Sequence, residues 1–350
     1  MKSILFFSPV RFDALKQRHQ GLAIELAKHN FKVYFVNPIS SNGFSCEIIE
    51  NPKKPFEIPN NLKILNIKVP FKAVSFPIIQ NFSIELAYRL LKKKLHIDSE
   101  KSFLWIAEPS CASLTKHKWA KIIYDCCDLH GDFPNQKKLL WQNYELEVAE
   151  KADLITISHP NIKEHFANNI KKKALLVSNA TFFKTQNIKR KLVDGKIKLL
   201  SSGAHYEWVD IEWLKMLANL ENVELHIAGR GRGKEFEQLI TLKNVFFHGE
   251  LDQEQLSNLM TKCQIGLIPF KNISLIKGVD PIKAYDYAAY GLKIWTPEIE
   301  YLHSNKYITD FIGDLQSASR AINQTFEKDI IERKIPTWKD RIISILPYLE

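Results

Sequence analysis

Short apolar runs alternate with amphipathic stretches along nearly the whole chain. Runs at 3–8, 32–37, 62–69, 103–107, 122–126, 154–158 and 174–177 read as buried strands. Parallel strands covered on both faces are apolar throughout, rather than apolar at every second position. The stretches 17–29, 81–96 and 136–150 have helical spacing, and Leu22, Ala23, Leu26 and Ala27 share one face of the first. Residues 181–196 are polar and patternless and read as a linker. The alternation then restarts. Strands are predicted at 197–200, 223–228, 245–248, 265–269 and 292–296, and helices at 211–220, 253–262 and between Pro281 and Gly291, with a further short helix after 228. A last helix covers 338–348. This order is that of an α/β protein with parallel sheets. It predicts two Rossmann-like domains, at 1–180 and 197–335, joined by the linker 181–196, with a last segment at 336–350.

The densest chemistry lies in 264–297. Asp280 is placed to cap a helix, Pro281 suits its first turn, and Gly291 suits the left-handed residue beyond its end. Lys283 and Asp286 are three residues apart and so lie near one another on that helix. A helix N-terminus beyond the carboxyl end of a strand is where doubly wound sheets bind phosphates. The plainer alternative is a capped helix carrying a surface ion pair.

Composition narrows the classes. The 350 residues are 45% hydrophobic and 25% charged, ordinary for a globular protein, and the length favours two cores. No apolar run reaches the roughly 18 residues that span a bilayer. The apolar start, MKSILFFSPVRF, is too short for a signal peptide and leads into a helix, so a cytoplasmic protein is expected. Five cysteines without a CxxC pair argue for a reducing compartment and against structural zinc. No dinucleotide fingerprint, P-loop, HExxH or GxSxG motif occurs. The net charge of +10 suits a phosphorylated substrate, an anionic membrane or nucleic acid. The one dense basic run, Lys92, Lys93 and Lys94, lacks the interleaved aromatics of a nucleic-acid surface, so no nucleic-acid partner is expected. It follows the apolar, aromatic stretch VPFKAVSFPIIQNF, a combination suited to a membrane surface or an acceptor presented there.

Five segments, in order, resemble the GT-B glycosyltransferases, most closely the glycosyltransferase 1/4-like group of bacterial surface-polysaccharide enzymes. They are RHQGLAIELAKHNFKVYFVNP, IIYDCCDLHGDF, ADLITISHPNIKEHF with LLVSNAT, IKLLSSGAHYEWVDIEWL, and CQIGLIPFKN with GVDPIKAYDYAAYG. The resemblance implies two Rossmann-like domains facing a cleft, with the helix at 336–350 packing back on the first domain. It implies a metal-independent, hexosyltransferase-type enzyme without a cofactor, moving a sugar from a UDP- or GDP-type nucleotide sugar to a glycan or lipid-linked acceptor. It also implies work at the inner face of a membrane.

Carried over by position, Asp286 stands where the family has the carboxylate that binds the nucleotide ribose, and Lys283 stands at its lysine beside the diphosphate. The family's first acidic residue falls on Gly278, with Asp280 nearby but out of register, which leaves inverting and retaining chemistry open. Gly203, at the end of the second domain's first strand, is placed for close approach of backbone to the donor, with His205 and Tyr206 then at the cleft mouth. Arg230, with Arg232 and Lys234, is a substitute cation for the diphosphate. For the acceptor side, Asp128 is the leading general base, with His130 beside it and Asp125 as the alternative carboxylate. Arg11 and Arg18 are candidates to hold an acidic acceptor. The rival readings are a nucleotide-sugar epimerase of the same fold, a non-catalytic scaffold, and a basic binding protein.

Overall fold

The computed structural model describes residues 1–41, 47–50, 58–134, 136–186, 195–324 and 334–350. These form two compact units, Met1–Ser178 with Trp338–Glu350, and Asn179–Thr337.

Unit 1 is built on one sheet. Its strands are β1 (Ser3–Phe7), β2 (Lys32–Val36), β3 (Ser40–Ser41), β4 (Glu47–Glu50), β5 (Leu62–Val69), β6 (Ser102–Ile106), β7 (Lys121–Cys126), β8 (Leu154–Ile157) and β9 (Ala174–Leu176). The order is β3-β5-β2-β1-β6-β7-β8-β9, with β4 on β5. Every pairing is parallel except β4 with β5. The sequence direction reverses between β1 and β6, which is the switch point of a doubly wound sheet. The helices are α1 (Arg18–Lys28), α2 (Pro77–Leu95), α3 (Lys138–Lys151) and the short α4 (Pro160–Lys163) and α5 (Asn168–Lys171). The expected helix 81–96 starts earlier, because Pro77 occupies its first position, where the missing N–H leaves no bond unmade.

Unit 2 carries β10 (Ile197–Ser202), β11 (Val223–Ala228), β12 (Val245–Phe247), β13 (Ile265–Leu267), β14 (Lys293–Thr296) and β15 (Asp310–Phe311) in the order β12-β11-β10-β13-β14-β15, all parallel. Its switch point is between β10 and β13. The helices are α6 (Ile211–Ala218), α7 (Lys234–Leu239), α8 (Gln253–Lys262), α9 (Ile282–Ala289) and α10 (Leu315–Gln324). Two apolar clusters fill the two faces of this sheet, one including Leu200, Tyr287 and Ile294, the other Leu199, Leu225 and Trp295. That side alternation along neighbouring residues is the pleat of a strand buried on both sides.

The chain returns to unit 1 through α11 (Trp338–Ile345). The Trp338 indole lies on Gly21 of α1, where a Cβ would come within 2.4 Å of it. Lys2 Nζ donates to the carbonyl of Leu349 at 3.2 Å. Of the expected linker 181–196, residues 187–194 lie outside the described residues. Residues before them are packed within unit 2. Thr181 N donates to Pro336 O, Phe183 joins the apolar cluster, and Gln186 N donates to Ala289 O at the end of α9.

Candidate functional site

The carboxyl end of β10, at the switch point of unit 2, brings Gly203 and Lys283 together. Gly203 has φ +107, a region that side chains rarely adopt, and a Cβ there would lie 2.9 Å from Lys283 Cε. Helix α9 delivers the lysine. Tyr287 sits one turn further on the same face, and its hydroxyl bonds to Ser202 N and Oγ, both at 2.9 Å. The Tyr287 ring packs against Gly266 of β13, where a Cβ would overlap it. The helix is thus clamped to both strands of the switch point, and Lys283 projects from its first turn. The Lys283 amine lies 5.6 Å from the centre of the Phe270 ring. Burial lowers its pKa to about 8.

Asp286 points elsewhere. It accepts a bond from Thr181 Oγ1 at 2.6 Å, and no ion pair joins it to Lys283. The expected surface pair is therefore two half-buried groups, each with its own surroundings. Burial raises the Asp286 carboxyl to about 7, against the opposing bonds from Thr181 and the Phe182 amide. A carboxylate and an ammonium with opposite shifts, both caused by burial, make this end of α9 a candidate functional site.

Asp280 does not cap α9. The N-cap position is Pro281, and the Asp280 carboxylate is buried, accepting from Asn179 N at 2.6 Å and from Tyr285 OH at 2.9 and 3.0 Å. Asn179 Nδ2 in turn donates to the Asp280 carbonyl. The side chain that was expected to satisfy its own helix instead anchors the segment entering unit 2. His205 is not at a mouth but fully buried, with Nε2 2.7 Å from Ser201 Oγ and its amide bonded to Arg230 O. Burial, with Lys283 nearby, lowers its pKa to about 3, so the ring is neutral. Arg230 is exposed and paired with Glu250 at 2.8 Å, and Arg232 with Glu207 at 2.7 Å.

In unit 1, Asp125 at the end of β7 is structural. It is fully buried and takes three bonds from Arg18, at 2.8 to 3.1 Å, and one from Thr156. Arg18 also donates to Val177 O. The two residues weighed as alternative base and acceptor holder thus neutralise each other where α1 meets β7. Arg11 pairs with Asp13 on the surface. Asp128 is half-buried and accepts from the Cys127 thiol at 3.5 Å, and burial raises its carboxyl above the usual range. His130 is buried with its ring stacked on Trp141, centroids 5.4 Å apart at 15°. Its amide donates to Glu145 Oε1 at 2.8 Å and its Nδ1 lies 3.4 Å from the same oxygen. Burial opposes ionisation of both partners, yet their mutual bonding wins. Glu145, which also faces His165, is held at about 2, and His130 is pushed up.

His130 lines a cavity of about 440 Å³ with Lys72, Glu108, Lys137 and Trp141. Lys92, Lys93 and Lys94 are exposed at the far end of α2, and Lys94 donates to Ile48 O at 2.5 Å.

No protein-family model matches the chain. Over 218 residues, 55% of each chain, it is 23% identical to a Bacillus subtilis (strain 168) protein, TuaH, described as a teichuronic acid biosynthesis glycosyltransferase. The chain thus aligns with about half the length of this relative. Among solved structures it is similar to sucrose-phosphate synthase from Thermosynechococcus elongatus, with TM-score 0.68 and 12% identity over 98% of this chain and 92% of that one. It is also similar to Anabaena Alr3699/HepE in complex with UDP and glucose, with TM-score 0.60 and 12% identity over 94% and 90%. The lipopolysaccharide outer core galactosyltransferase WaaB matches with TM-score 0.58 and 12% identity over 95% and 92%. The chain has the GT-B fold.

Sequence reasoning missed several residues at the GT-B strand ends. Thr181 lies in the LLVSNAT segment that carries the resemblance, but nothing in that segment points to its bond with Asp286. Tyr287 looks like core from its spacing. Lys72, Glu108, Lys137 and Trp141 come from three different loops and helices and share no local motif. Among the described residues, no cluster of His, Cys, Asp and Glu could hold a metal ion, and no helix is long and apolar enough to cross a membrane.

Proposed function

We propose that the protein is a glycosyltransferase that uses a nucleotide-sugar donor of the UDP or GDP type, carried by unit 2. The observation that carries this reading is the meeting of Gly203 and Lys283 at the switch point of that unit. A diphosphate there lies against bare backbone on one side and an ammonium on the other. Asp286, as a carboxylate, accepts the ribose hydroxyls. Asp280 supports the site indirectly, by fixing the turn into α9.

In the transfer, an acceptor hydroxyl oxygen bonds to the anomeric carbon of a hexosyl group. The bond from that carbon to the diphosphate oxygen breaks, and its electron pair leaves with the diphosphate. Lys283 stabilises the developing charge without a metal ion or cofactor. The hydroxyl proton goes to a carboxylate, with Asp128 the candidate, since a raised pKa suits a base. Asp128 as base belongs to an inverting reaction. The acceptor is a glycan or a lipid-linked glycan of surface-polysaccharide assembly, met by unit 1. The similarity to TuaH supports that substrate class.

The same reading places the protein in the cytoplasm, peripherally on the inner face of a membrane. Its support is the start of α2, where Ile78 is 86% and Phe82 63% exposed, with Lys92 to Lys94 on the same helix.

A thermal-shift panel of UDP, GDP, dTDP, ADP and CMP tests the donor site. A ligand at a hundred times its Kd stabilises by roughly 2.7 kcal/mol, so one nucleotide should raise Tm by several degrees. Asp286→Ala should lose most of that shift. A flat panel on the wild type overturns the proposal.

A further inference from the structure

Glu145 is a carboxylate that the transfer step does not use. It sits on the inner face of α3 and is 1% exposed. A carboxylate buried that deeply is kept only where its surroundings compensate the charge. Here both oxygens face partners. Oε1 accepts the His130 amide at 2.8 Å and lies 3.4 Å from Nδ1 of the same residue. Oε2 lies 3.5 Å from Nε2 of His165, which belongs to the segment after α4.

The neighbours of Glu145 on α3 act on the same turn, His130–Asp132. Trp141, four residues earlier, stacks on the His130 ring. Lys138, three residues before that, pairs with Asp132 at 2.6 Å. Positions spaced 3, 4 and 7 apart lie on one stripe of a helix. One stripe of α3 is thus given over to a single turn, and that turn begins two residues after Asp128. On the other side of Asp128, the Cys127 carbonyl accepts from Ser158 Oγ at 2.8 Å. Asp128 therefore stands between two fixed points of main chain, while its carboxylate has only the Cys127 thiol at 3.5 Å as a side-chain donor among the described contacts.

The charged groups acting on that carboxylate are Arg18 from α1, Asp125 from β7 and His130. Burial raises Asp128, and a protonated His130 opposes the rise more than Arg18 does. Glu145, with Glu108 and Asp128, favours the protonated His130 ring against its own burial. A base has to be ionised before it can take a proton, so the state of His130 matters to Asp128.

Building on the reading of Asp128 as the base, we infer that Glu145 is a positioning residue for it. Glu145 fixes the turn after Asp128 through the His130 amide and, through the charge on the His130 ring, sets the pH at which Asp128 ionises. Without Glu145, burial is the largest influence left on His130 and discharges the ring. Asp128 then keeps its proton to higher pH.

Carbon-13 NMR of the full chain tests this without any substrate. The carboxyl signal of Asp128, assigned by its loss in Asp128→Asn, is followed against pH. Glu145→Gln keeps an acceptor for the His130 amide and removes the charge. In that variant the Asp128 midpoint should move to higher pH, and the His130 ring should lose its proton at lower pH than in wild type. His130→Gln keeps the amide bond and should move Asp128 in the same direction. Both changes together should move it no further than His130→Gln alone, because the two residues act in series. An Asp128 midpoint that stays in place or falls in Glu145→Gln overturns the inference. Where that variant does not fold, an unmoved midpoint in His130→Gln overturns it instead. The wild-type titration separates this from the base reading. A wild-type midpoint at or below the ordinary 3.8 overturns Asp128 as the base, whatever the variants do. A raised wild-type midpoint that neither variant moves overturns the role of Glu145 alone.

Discussion

The Lys283 side chain occupies the space that a Cβ on Gly203 would need. Alanine at 203 therefore meets the strain of the positive φ and pushes aside the flexible end of the Lys283 side chain. The strain alone is worth about 1–3 kcal/mol. Gly203→Ala should lower Tm by several degrees and also abolish the nucleotide-induced shift, because the lysine is displaced from the strand end. A variant that is destabilised yet keeps the full nucleotide shift would separate Gly203 from the donor site.

The opposite shifts of Asp286 and Lys283 predict a narrow optimum for nucleotide binding. Asp286 accepts hydroxyls only when ionised, so affinity rises as pH increases through about 7. Lys283 attracts a diphosphate only when protonated, so affinity falls as pH increases through about 8. Calorimetric titration across pH should give a maximum between these values, and Asp286→Asn should remove the acidic limb while leaving the basic one. Stability carries the opposite sign. Because the folded-state carboxyl lies above its ordinary 3.8, the stability it contributes is complete below 3.8 and lost as pH rises through about 7. The fall in Tm over that window should flatten in Asp286→Asn.

Asp280 makes a different prediction. Its carboxylate is buried and accepts from the Asn179 amide and the Tyr285 hydroxyl. Removing it leaves buried donors unsatisfied, at about 1–3 kcal/mol. Asp280→Ala should unfold at lower urea concentration than wild type with a nearly unchanged slope. Its nucleotide affinity should change less than that of Asp286→Ala, if Asp280 acts on the turn and not on the ligand.

The alternation of apolar runs made both parallel sheets legible, because strands buried on two faces carry a local signature. The switch points, which depend on strand order, were not legible, whereas the helix start that carries Lys283 beyond a strand end was marked by Asp280 and Pro281. What could not be read was which neighbour each polar side chain chooses. Asp280 looked like a cap because capping is local, whereas its partners Asn179 and Tyr285 depend on how the chain enters unit 2. Asp125 and Arg18 looked reactive because they are charged, whereas a contact across more than a hundred residues joins them. The antiparallel β4 carries only four residues, Glu47–Glu50, too few to show a period.

Trp338 lies flat on Gly21 and is 3% exposed. Trp338→Ala should cost about 3–5 kcal/mol in unit 1 through the cavity it leaves. Gly21→Val should be at least as damaging, since the indole leaves no room for a side chain. Thermal unfolding followed by tryptophan fluorescence should show the transition of unit 1 moving down. If Trp338→Ala unfolds as wild type does, α11 is not part of that core.

The same contact has a consequence for how the protein is made. Unit 1 begins at Met1 but closes with Trp338–Glu350, so its sheet is synthesised long before the helix that covers α1. At about 5–20 residues per second, the ribosome takes roughly 8–30 seconds to add the intervening segment of unit 2. During that interval the Gly21 face of α1 is bare. Unit 2, contiguous in sequence, has all its parts first, so the later-encoded half is expected to reach its native state before the earlier one.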